Sequence, residues 1–141
     1  MQASLKGVNR IIRVMVSDGS FNYVFKNIEA VAASEKTLTC RFQINKPQTN
    51  TIRTLHGGYI AAVTDFISAV DLARFGYYQQ VSIHLGIEFL RPGDFGSWIE
   101  VNSCIVKKGN RLVFCDVLFK DEKSGELIAR GSHTFYIHKD E

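Results

Sequence analysis

Thr54-Leu55-His56-Gly57-Gly58-Tyr59-Ile60-Ala61-Ala62-Val63-Thr64-Asp65-Phe66-Ile67-Ser68-Ala69-Val70-Asp71-Leu72-Ala73-Arg74-Phe75 is the stretch on which the fold turns. From Gly58 to Phe75 it is apolar nearly all round, and before Arg74 only Thr64, Asp65, Ser68 and Asp71 interrupt it. That pattern predicts a buried helix over 58–75 and not an amphipathic surface helix.

The flanking sequence is rich in strand signals. Residues 28–34 and 37–44 read as two strands joined at Glu35-Lys36. Residues 81–90 alternate, with Val81, Ile83, Leu85, Ile87 and Phe89 on one face and Ser82, His84, Gly86 and Glu88 on the other. Residues 97–107, 112–120 and 127–138 come next, separated by turns at Pro92-Gly93, Lys108-Gly109-Asn110 and Lys123-Ser124-Gly125. Such spacing predicts antiparallel hairpins. A helix that needs apolar cover on most sides, with about six strands, calls for a curved sheet wrapped around it, an α+β architecture.

The 141 residues suit one domain over 1–141. Residues 1–18 hold an amphipathic helix, predicted over 4–16, with Leu5, Val8, Ile11, Ile12 and Met15 at helical spacing. Lys6, Arg10 and Arg13 without an acid also give this segment the look of a mitochondrial presequence, and the packed helix is the preferred reading. No run is apolar and long enough for a transmembrane helix. The net charge of +3 suits an anionic small molecule and is too weak for a nucleic-acid binder. Three cysteines, Cys40, Cys104 and Cys115, each in an apolar run, point to buried thiols in a reducing intracellular compartment, cytosolic or mitochondrial.

His56-Gly57-Gly58 alone reads as a flexible helix start with a capping histidine. Helix-start amides lack internal partners and lie at the positive end of the dipole, where they stabilise developing negative charge on oxygen. Asp65 gives that possibility weight, because a carboxylate inside an apolar helix is costly unless paired or functional. Asp71 lies about 240° away round the helix, and Arg74 three residues on offers it an ion pair. Gly57 and Asp65 are about 12 Å apart along the axis. One side chain cannot close that gap to a shared reacting carbonyl. If both act, Asp65 comes from a second subunit whose helix runs antiparallel beside the first, across a two-fold axis.

Asn50, His56-Gly57-Gly58 and Asp65 in this order resemble the hotdog acyl-CoA thioesterases. The likeness extends through Thr49-Asn50, Val81-Ser82, Pro92, the turn from Lys107 to Leu112, Gly125-Glu126-Leu127-Ile128-Ala129 and Gly131-Ser132-His133-Thr134. The pattern is similar to that of the thioesterase superfamily member two kind and of the bacterial phenylacetyl-CoA thioesterases. The resemblance implies a hotdog fold and hydrolysis of medium- to long-chain acyl-CoA. It implies Asp65 as general base or nucleophile, Gly57 and His56 at the thioester oxygen, Asn50 as an orienting group and Ser82 as a holder of water. Its CoA contacts fall on Phe89, Leu90, Arg91, Pro92, Gly93 and Asp94, on Lys107, Lys108, Gly109, Asn110, Arg111 and Leu112, and on His84 and Tyr136. It suggests a dimer of dimers. His84 departs from the pattern, which has an acid there; it shares the alternating face of Ser82. No cofactor beyond the CoA of the substrate is implied, and His133 and His138 match no metal spacing.

Thioester hydrolysis needs an oxyanion donor and a base for water, and no GxSxG elbow offers another route. Ile60, Phe66 and Ile67 are the candidates to line an acyl tunnel. The competing functions are a hotdog dehydratase or hydratase acting on acyl thioesters, and a non-catalytic acyl-CoA-binding module.

Overall fold

The computed structural model describes residues 2–138. Helices α1 (Leu5–Val16) and α2 (Gly57–Ala73) accompany strands β1 (Glu29–Ala33), β2 (Thr37–Gln43), β3 (Gln80–Phe89), β4 (Trp98–Lys108), β5 (Leu112–Asp121) and β6 (Leu127–Ile137). The six strands form one sheet in the order β1-β2-β4-β5-β6-β3, antiparallel at each pairing. This is the hotdog fold, with α2 held in the curve of the sheet. Each expected element is present, with ends displaced by a residue or two.

Alternation builds the core. Leu38, Cys40 and Phe42 of β2, Ile99 and Val101 of β4, and Val117 and Phe119 of β5 turn inward onto Ile60, Val63, Phe66, Ile67 and Val70 of α2. Ile60, Phe66 and Ile67 are thus packed in the core, at 4%, 3% and 0% exposure. A short 3-10 helix, Phe21–Phe25, is pinned by Phe25, whose ring stacks on Phe66 with centroids 4.3 Å apart. Helix α1 is packed on the domain through Val8 and Ile12. Its Asn9 exchanges two 2.9 Å hydrogen bonds with the backbone of Ala30, beside an irregularity in β1. Among the described residues no helix is long and apolar enough to cross a membrane.

Two expectations change. Helix α2 is not covered all round: Gly58 and Asp65 are exposed and Ala61, Ala62 and Ala69 half-buried, along one stripe. At 100° per residue these five span one side of the helix, the side that the single subunit leaves open.

Strand β3 is not one regular alternation. Ser82 pairs with Phe135 but His84 pairs with Thr134, so a bulge takes up Ile83. One extra residue reverses the facing of the residues after it. Ser82 consequently turns inward with buried Phe135 and His84 turns outward with Thr134, on the opposite face from Ser82.

Candidate functional site

The loop before α2 is fastened on both sides. Leu55 N–H donates to Gly93 O (2.8 Å) and His56 N–H to Gln48 O (2.8 Å), and Thr54 bridges Asp94. Asn50 is committed to this loop: its Nδ2 donates to Thr54 Oγ1 and its Oδ1 accepts from the amides of Ile52 and Thr54. It holds the turn in which Arg53 takes a positive φ of 62°.

His56 is the N-cap of α2, and its Nδ1 accepts from Gly58 N–H at 2.8 Å. An accepting Nδ1 in a neutral imidazole leaves the proton on Nε2, which can donate to a ligand. The two glycines serve different neighbours. A Cβ on Gly58 would stand 2.9 Å from His56 Nδ1 and displace the cap, and one on Gly57 would stand 3.0 Å from Cε1 of Phe89. Gly57 N–H keeps no internal acceptor among the described residues. It is a bare donor at the positive end of a 17-residue helix.

Two turns along α2, Asp65 heads a second cluster. Its side chain is 55% exposed, with Ser82 Oγ 3.4 Å and His133 Nε2 3.7 Å away. His133 is buried between two serines, with Nε2 2.8 Å from Ser82 Oγ and Nδ1 2.7 Å from Ser68 Oγ. Ser68 Oγ also lies 2.6 Å from Thr64 O. Two proton arrangements satisfy this chain. The short Ser68–Thr64 contact and the long Ser82–Asp65 one favour Ser68 donating to Thr64 O, His133 Nδ1 donating to Ser68, and Ser82 donating to His133 Nε2. The Ser82 oxygen then keeps lone pairs free beside Asp65. Burial pushes His133 below the ordinary imidazole range; the Asp65 charge opposes this and His84 adds to it.

Local sequence pattern does not single out His133 as a site residue, although a signal exists. It occupies the inward series Ala129, Gly131, His133, Phe135, Ile137, a polar residue on an apolar face. Gly131 lets the layers close there, since a Cβ would stand 2.6 Å from Thr64 Cγ2.

The expected CoA contacts separate. Phe89, Leu90, Arg91, Pro92 and Asp94 are exposed, whereas Gly93 is buried against Ile44, Leu55 and Ile128 and holds the loop. Lys107 and Lys108 end β4, and Gly109 N–H closes the hairpin on Leu112 O at 2.7 Å beside Asn110. Arg111 donates to the Tyr136 hydroxyl at 2.7 Å, and Lys108 lies over the Tyr77 ring. Arg111 and Tyr136 therefore act as a pair on one rim.

The other acid, Asp71, is fully buried with Arg74, at 2.7 Å, and accepts from Ser103 at 2.8 Å. Burial pushes its carboxyl above the usual range, against the pull of these two partners. All three cysteines are free; Cys40 and Cys115 are buried and Cys104 half-buried. Burial raises the Cys115 thiol to about 12, far from a thiolate at neutral pH.

The model of the thioesterase superfamily matches residues 53–128. Acyl-coenzyme A thioesterase 13 of Mus musculus is 29% identical over 138 residues, covering 97% of this chain and 99% of its own. The crystal structure of zebra fish thioesterase superfamily member 2 superposes with a TM-score of 0.91 at 28% identity, over 96% of this chain and 99% of that one. That of thioesterase superfamily member2 from Mus musculus gives 0.88 at 29% identity, over 96% and 98%.

Proposed function

The chain belongs to the thioesterase superfamily, and we propose that it is an acyl-CoA thioesterase for medium- to long-chain substrates, with an active site shared between two subunits. The observation that carries this is a separation. A bare donor at Gly57 and a solvent-open carboxylate at Asp65 lie about 12 Å apart on one straight helix, on the side that the subunit leaves uncovered. A second subunit packed on that side, its α2 antiparallel to the first, sets Asp65 of one chain against Gly57 of the other. Strand β3 edges the sheet beside that side, and its Val81, Ile83 and Leu85 are 50%, 56% and 40% exposed.

In such a site the thioester oxygen lies on Gly57 N–H, with His56 Nε2–H as a second donor. Water held by Ser82 and Asp65 attacks the carbonyl carbon, and Asp65 takes its proton. The oxyanion is stabilised at the helix start, where the amide dipoles are fixed in advance. Collapse breaks the C–S bond, and Asp65 returns the proton to the leaving thiolate. Asn50 keeps the oxyanion loop in shape. Lys107, Lys108 and Arg111 suit the phosphates of CoA, with Tyr136 beside them, and Phe89 to Pro92 suit its pantetheine arm. Dimers pair into a tetramer, and free thiols fit a cytosolic or mitochondrial setting.

Thiol release from acyl-CoAs tests the activity. Free CoA is expected, and none from any chain length would overturn it; an enoyl product without free thiol would mark a dehydratase. Mixing Gly57→Ala and Asp65→Ala subunits tests sharing. Half of randomly mixed dimers are heterodimers with one intact site each, so roughly a quarter of wild-type activity should return. No return would overturn the shared site.

A further inference from the structure

Beside the helix start runs a groove of about 520 Å³, open to solvent, that the hydrolytic chemistry does not use. Three segments of one subunit form it. Phe21, Tyr23 and Val24 of the 3-10 helix make one wall, Pro47 faces them, and Tyr59 and Ala62 of α2 belong to the lining. His56 and Gly58 also line it, which makes it continuous with the oxyanion corner. The lining is mostly apolar, and its charged member is Lys26, whose ammonium is turned onto the Tyr23 hydroxyl at 2.9 Å. Two of the polar side chains there are occupied: Gln48 accepts from Asn45 N–H, and Thr49 donates to Lys46 O.

We infer that this groove seats the acyl chain of the substrate and that Phe21, Val24 and Tyr59 set the chain length. The inference rests on the thioesterase reading and goes beyond it, since that reading leaves the acyl group without a place. Three observations carry it. The helix side chains that were candidates to line a tunnel, Ile60, Phe66 and Ile67, are packed in the core. The groove starts at the residues that would hold the thioester carbonyl, and its volume lies in the range of small-molecule sites. Its wall is exposed at unusual cost for a free subunit, with Phe21 at 70%, Tyr23 at 55% and Val24 at 39%, while Phe25 and Tyr59 anchor that wall on Phe66 and Phe42.

The test is the dependence of kcat/KM on chain length, from butyryl- to hexadecanoyl-CoA, for wild type, Val24→Trp and Phe21→Ser. Each methylene that enters the groove should raise kcat/KM about two- to four-fold until the groove is full. Val24→Trp fills it and should cut the ratio of dodecanoyl to butyryl turnover at least ten-fold. Phe21→Ser changes a mostly exposed residue, keeps the fold if Val24→Trp does not, and should lower the slope per methylene. An unchanged ratio and slope in folded variants overturns the inference while leaving the hydrolase standing. If no variant or wild type releases CoA, the same series is read as binding of non-hydrolysable acyl-CoA thioethers. Chain-length dependence that these substitutions abolish then supports the groove without the hydrolase, and its absence overturns the groove as well.

Discussion

Ser82 stands 2.8 Å from His133 Nε2 because a bulge at Ile83 turns it inward. In a regular strand the residue two places on, His84, would share its face. Here His84 looks out of the sheet, and the buried partner of Ser82 comes from β6. The bulge thus decides which histidine meets the serine beside Asp65.

Removing the base should remove catalysis and spare binding. Asp65→Asn is expected to lower kcat about 10²- to 10⁴-fold, the usual contribution of a general base. Affinity for a thioether analogue should stay within a few-fold. Loss of binding in step with kcat would make Asp65 a structural residue.

His133 should matter through Ser82. His133→Ala is expected to lower kcat roughly ten-fold with little change in KM, since it frees the serine hydroxyl without touching substrate. The protonation sign is also fixed. Burial holds the folded-state pKa of His133 below the ordinary 6.5. Above pH 6.5 both states are neutral and nothing is linked. As pH falls below 6.5 the unfolded chain takes up the proton first, so stability drops until the folded-state pKa is passed. Tm measured across that window should fall in wild type and fall less in His133→Gln. Equal slopes would show that His133 does not titrate with unfolding.

Gly58→Ala should break the helix cap. The new Cβ would stand 2.9 Å from His56 Nδ1, so the imidazole must leave the Gly58 amide. A loss of about 1 kcal/mol is expected from the cap alone, read by urea unfolding. A drop in kcat should accompany it, because His56 no longer presents Nε2 to the oxyanion. Unchanged activity would assign His56 to capping only.

The Asp71–Arg74 pair is structural, and its two halves are unequal to remove one at a time. Arg74→Met leaves a buried carboxylate without its cation and should cost about 3–5 kcal/mol. Asp71→Leu with Arg74→Met should cost less than either single change, since no charge is left stranded. A double variant less stable than both singles would contradict a buried ion pair. Catalytic parameters of the folded double variant should resemble wild type.

Edge strand β3 gives a direct probe of association. Ile83→Lys places a charge on a strand whose outer backbone edge has no neighbour in the sheet. Light scattering should report a smaller particle, with activity lost in parallel. A wild-type mass would place the interface elsewhere.

Much is legible in the residues alone. The apolar run after Gly58 requires a helix under cover, and period-two alternation in 37–44 and 112–120 fixes which side chains meet it, because a strand's facing repeats every second residue. The ordered set Asn50, His56-Gly57-Gly58 and Asp65 points to the hotdog thioesterases. The helical rise alone already puts Gly57 and Asp65 too far apart for one chain. Three things needed the tertiary structure. A bulge is one unpaired residue without a pattern of its own, so the faces of Ser82 and His84 could not be counted off the sequence. His133 reaches Ser82 and Ser68 from 51 and 65 positions away, through strand order that local periodicity does not encode. Apolar character cannot tell core from groove: Phe66 and Phe21 look alike in sequence, and only packing sends one to 3% exposure and leaves the other at 70%.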